Sequence, residues 1–92
     1  MTIKVFVKDS KLSKEIDQVI YESLNGLFRT YESHHGDIPS DPSVEVIINL
    51  REEAEINKFK YALFLHQQIK KIAKDEQPQI YVDDVFVEKG EI

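Results

Sequence analysis

The sequence predicts a single small α/β domain spanning residues 1–92. Its elements run strand, helix, strand, helix, strand, strand, giving a mixed three- or four-stranded sheet with two helices. Three observations predict this. Short alternating or β-branched runs have the period of strands. Two longer segments carry apolar residues at helical spacing. The chain has 92 residues with 41% hydrophobic content, enough for one modest core.

The first run, "IKVFV", sets Ile3, Val5 and Val7 against Lys4 and Phe6, a period of two. Over residues 12–31, the residues Leu12, Ile16, Val19, Ile20, Leu24, Leu27, Phe28 and Tyr31 draw one helical stripe. Ser13 is the expected N-cap, and Glu15 and Asp17 suit the positive end of that helix. Gly26 interrupts the stripe and weakens its turn by up to about 1 kcal/mol. Residues 33–43, with one glycine and two prolines, read as a loop.

"SVEVIINL" is β-branched and nearly all apolar, the pattern of a strand buried on both faces. Residues 51–76 read as the second helix. Glu52, Glu53 and Glu55 open it and Lys70, Lys71 and Lys74 close it, matching the macrodipole. Its apolar set runs from Ile56 through Phe59, Tyr61, Ala62, Leu63, Phe64 and Leu65 to Ile69, Ile72 and Ala73. A stripe that wide predicts two contacts, one with the sheet and one with the first helix or another subunit. The tail "QIYVDDVFV" predicts a hairpin turning at Asp83 and Asp84, which requires positive φ at both. The first crossover has the length of a parallel β-α-β unit.

The net charge is −5, and the whole acidic excess lies in residues 75–92. The first 14 residues lean basic. An acidic surface argues against direct nucleic-acid binding and leaves room for a basic protein partner. No apolar run approaches the roughly 20 residues of a membrane span. The first residues lack the order of a secretory signal. There is no cysteine, hence no disulfide and no thiol nucleophile. The expectation is a soluble cytoplasmic protein without membrane contact.

"PQIYVDDVFV", a proline followed by paired strand-like runs, and "IKVFVKDSKLSKEI", a strand turning into a helix, together resemble the thioredoxin-like fold at its glutaredoxin-like size. The resemblance implies that Pro78 holds the cis-proline position. Ser10 and Ser13 then keep the spacing of the two reactive cysteines, within a residue. The chain departs from that pattern in both cysteines, in the glycine pair after the hairpin (only Gly90 is near) and in the closing helix. Disulfide exchange is therefore excluded, because a serine oxygen cannot perform it. A ferredoxin-like or tautomerase-like unit is the rival reading. Thr2 after Met1 removes the tautomerase catalytic proline.

No motif predicts catalysis. Ser10 and Ser13 have no nearby base in sequence and no nucleophile elbow, and read as a turn residue and a cap. His34 and His35 are adjacent and point apart, so with Asp37 and Asp41 they read as loop residues rather than a metal site. His66 reads as a boundary residue. Asp83, Asp84 and Glu88 lack the calcium-loop pattern. No glycine-rich phosphate loop exists, and no cofactor is expected.

Six aromatics, Tyr21, Phe28, Tyr31, Phe59, Tyr61 and Phe64, fall on the two expected helices, mostly as core. The function expected is a non-enzymatic protein–protein interaction module, regulatory or adaptor in kind, binding another protein or forming a homodimer. Its contact residues are Tyr61 and Phe64 of the wide stripe, with Asp83, Asp84 and Glu88 setting orientation by charge. Two alternatives remain. One is an acidic DNA-mimicking inhibitor of the phage type, occupying a nucleic-acid-binding protein. The other is a small-molecule enzyme without a recognisable motif, which would need a closed pocket holding His66 or Asp83.

Overall fold

The structure is a computed structural model that describes residues 2–8, 12–35, 43–74 and 78–87. It opens with strand β1 (Thr2–Val7), whose Ile3, Val5 and Val7 are fully buried, as the alternation predicts. Helix α1 (Ser13–Ser23) follows. Its N-cap is Leu12 and no side chain caps it, so Ser13 is the first helical residue and not the expected cap.

The helix does not continue to Tyr31. It ends at Ser23, Gly26 takes φ +86°, and the chain turns into strand β2 (Phe28–His35). Glycine alone among the common residues reaches that φ without strain. Phe28, Thr30 and Tyr31 favour extended backbone. The helical spacing was coincidental beyond Leu24, because Leu27, Phe28 and Tyr31 reach the same core from the strand side. Residues 33–35 of the expected loop thus belong to β2, and residues 36–42 lie outside the described residues.

Strand β3 (Val44–Leu50) alternates between buried and accessible positions. Val44, Val46, Ile48 and Leu50 are buried and Glu45 is exposed, so it is covered on one face and not both. A 3-10 segment (Glu52–Asn57) leads into helix α2 (Lys58–Ile72). The segment expected as one helix over 51–76 is therefore two pieces.

Strands β4 (Gln79–Val82) and β5 (Val85–Val87) form the expected hairpin. Asp83 and Asp84 take φ +50° and +67°, as a two-residue turn demands. Three hydrogen bonds fix Asp83 in this turn. The Thr2 N–H donates to Asp83 Oδ1 at 2.9 Å while the Asp83 N–H donates to the Thr2 carbonyl at 2.9 Å. Lys58 Nζ donates to Asp83 Oδ2 at 2.8 Å. The Gln77–Pro78 bond begins outside the described residues.

The sheet has five strands in the order β2-β3-β1-β4-β5, one or two more than expected. Every neighbouring pair is antiparallel. The expected parallel crossover does not join β1 to the strand at 44–50: through α1 it leads to β2, which runs parallel to β1, and β3 inserts between them. This is the split β-α-β order of ferredoxin-like folds, with β5 added at one edge.

Both helices cover one face of the sheet. Ile16, Ile20 and Leu24 of α1, and Ala62, Leu65 and Ile69 of α2, join Ile3, Val5, Val46, Ile48, Ile80 and Val82 in one buried cluster. The wide stripe of α2 has the two contacts its width predicts, with the sheet and with α1. The opposite face of the sheet carries Lys4, Phe6, Ile47, Tyr81 and Phe86, none of them buried. Among the described residues no helix is long and apolar enough to cross a membrane.

Candidate functional site

The expected contact residues are scattered. Tyr61 is half-buried and packs against the core, whereas Phe64 is 40% exposed. Asp83 is engaged by Lys58, and Asp84 lies 3.5 Å from Lys4. The hydrogen bond from Lys58 and then that from the Thr2 N–H hold the Asp83 carboxyl below the usual carboxylate range, against a small opposing effect of burial. Glu88 lies outside the described residues. Ser13 opens α1 and Ser10 lies outside the described residues. His66 is buried in the core rather than at its boundary, with Nε2 3.0 Å from the Val87 carbonyl.

A groove of about 630 Å³ lies on the other flank, between α1 and β2. Lys14, Asp17, Gln18, Tyr21 and Glu22 line its helical wall. They recur at steps of three, one, three and one, which places them on one stripe of the helix. Tyr31 and His35 line the other wall. They sit four apart on β2 and so share a face of the strand.

A polar network fixes these walls. The Tyr31 hydroxyl donates to the Asp17 carboxylate and lies 2.9 Å from the Asp17 carbonyl. His35 Nε2 lies 3.0 Å from Asp17 Oδ2. Burial works against the Asp17 charge. Hydrogen bonds from Tyr31, His35 and Ser33 outweigh it and hold its carboxyl below the usual range. Burial, and then the bond to Asp17, push the Tyr31 hydroxyl well above the usual phenol range. At neutral pH the pair is therefore a carboxylate and a protonated phenol.

The aromatic part is equally ordered. Tyr21 meets Tyr31 edge to face, with centroids 5.1 Å apart at 84°. It meets Phe28 at 5.4 Å, and Phe28 meets Tyr31 at 5.2 Å. Tyr21 nevertheless stays 46% exposed. His34 points to the opposite face, 3.9 Å from Glu32, so the adjacent histidines do point apart. Among the described residues no group of three or more metal-ligating side chains exists.

The sequence pattern hides this groove because it places Tyr31 on a helix and His35 in a loop. The available signal was Asn25-Gly26, a turn pair followed by β-forming residues.

No family model and no curated protein matches the chain. Among solved structures it is similar to a de novo designed protein, Foldit4, with a TM-score of 0.63. Identity is 14%, over 87% of this chain and 91% of the design. At that identity the likeness shows the fold alone.

Proposed function

We propose that the chain is a non-enzymatic protein-interaction module that receives an extended segment of a partner protein along β2. One observation carries the reading: an open groove follows an edge strand that has no further strand beside it among the described residues. An edge strand offers a row of backbone donors and acceptors. A segment added there gains ladder hydrogen bonds, while its alternate side chains enter the groove. β2 has eight residues, long enough for such a ladder. The network of Asp17, Tyr31 and His35 supports this use by keeping helix and strand at a fixed spacing.

The decoy reading draws less support. Its turn acids, Asp83 and Asp84, face Lys58 and Lys4 and do not stand as free charges spaced like phosphates.

Selection of a random peptide library on the full chain tests the proposal. The expected winners alter the amide signals of residues 28–35 and slow their hydrogen exchange. Winners that perturb only the outer surface of α2, around Phe59 and Phe64, would move the interface there and end this reading.

A further inference from the structure

The groove has direction. Phe28 packs on Tyr21, Tyr31 on both Tyr21 and Asp17, and His35 on Asp17. β2 therefore runs opposite to α1. Lys14 and His35 share one end, while Tyr21 and Glu22 share the other. Glu22 is steadied by Gln18, whose Nε2 donates to Oε1 at 3.0 Å. Tyr31, anchored by Asp17, backs the Tyr21 ring.

From this we infer that the groove reads a lysine or arginine side chain of the bound segment, its cation resting on the Tyr21 ring beside Glu22. The inference rests on the strand-capture reading of the same groove. An aromatic face attracts a cation through its quadrupole, and Glu22 adds a formal negative charge at the same end. Asp17 lies one turn away and is ionised. An acidic side chain would meet both the ring face and Glu22 unfavourably. Among the described residues no cation of the chain occupies the Tyr21 ring, whereas Lys58 does sit 5.7 Å above the Phe59 ring centroid. Tyr21 is 46% exposed, so a basic side chain of the partner can reach its ring.

The test is a titration of the ¹⁵N-labelled full chain with three capped pentapeptides, Thr-Val-X-Val-Thr. X is lysine, norleucine or glutamate. The lysine peptide is expected to bind at least five-fold more tightly than the norleucine peptide and to shift Tyr21, Glu22 and the β2 amides. Glu22→Gln and Tyr21→Leu should each erase most of that preference while retaining norleucine binding, and Tyr21→Phe should keep it. The preference should also shrink at about 0.5 M salt. Equal affinity for lysine and norleucine, with the β2 amides still responding, overturns the cation reading and leaves strand capture standing. Tightest binding by the glutamate peptide overturns it in the same way. If none of the three peptides perturbs β2, both readings fall together.

Discussion

On one flank of the sheet, α2 lies over β4 and β5 and buries Ala62, Leu65, His66 and Ile69 against Ile80, Val82 and Val87. On the other, α1 lies beside β2, none of whose eight residues is buried. Both flanks are a helix packed over a two-stranded edge hairpin. They differ in what the edge presents to the helix. β4 and the edge strand β5 turn Ile80, Val82 and Val87 inward, which pack without polar demands. β2 turns Tyr31, Ser33 and His35 inward, whose polar atoms need partners and find them on Asp17. The first flank is closed chiefly by apolar contact, with one buried polar contact between His66 and the Val87 carbonyl. The second is held apart by a hydrogen-bonded spacer, and the gap is the groove. The two flanks of one sheet thus differ in character, one closed and one open.

That contrast can be broken by experiment. Leu65→Ala should destabilise by about 2 to 5 kcal/mol, the range for an apolar core truncation, measured by urea unfolding. If it costs less than Tyr31→Phe, the sealed flank is not the main source of stability. Tyr31→Phe removes one donor from Asp17 and should cost about 1 to 2 kcal/mol near neutral pH.

The pH dependence of that loss sharpens the comparison. The Asp17 pKa is lowered by folding, so its stabilisation is present above the usual carboxylate range and is lost as pH falls through the lower folded value. Tyr31 is raised, so its contribution is present below the usual phenol range and is lost as pH rises through the folded value. The difference between wild type and Tyr31→Phe should be widest between those limits and narrow on both sides, read by urea midpoints against pH. A flat difference would remove the Asp17–Tyr31 bond from the account.

Gly26→Ala should cost about 1 kcal/mol, because its φ of +86° disfavours a side chain, although no atom lies within 4 Å of the added carbon. It should lower the denaturation midpoint without changing the dimensions of the groove. Asp84→Gly on the sealed flank is the smallest effect. It should stabilise by roughly 0.5 kcal/mol, since glycine takes positive φ freely and the exposed pair with Lys4 contributes little.

How much of this was legible follows the same division. β1 and α2 were readable because their apolar periods match their elements, β3 as a strand from its β-branched content though not its one-sided cover, and the hairpin from two strand-like runs about Asp83-Asp84. β2 was not, because Leu27, Phe28 and Tyr31 happen to extend the helical spacing of α1. Only the positive φ at Gly26 breaks it, and spacing carries no record of φ. The groove was lost with that strand. Asp17 and His35 are 18 residues apart, and nothing in either segment alone marks them as partners. The expected contact residues lay on α2 and the hairpin because that is where apolar width and acid runs are visible in one dimension.

The central place of β1 carries a consequence for synthesis. Of the five strands, β1 comes first in the chain yet gains its second partner only when β4 emerges. Thr2 meets Asn49, 47 positions away, through its side chain, and Asp83, 81 positions away, through its backbone. Such non-local closure slows folding. Until β3 and β4 emerge, "IKVFV" waits with both edges bare, a short β-prone run of the kind that seeks other chains. Lys4 within it and Lys8 just after it are charges of the kind that keep such a run from pairing with other chains.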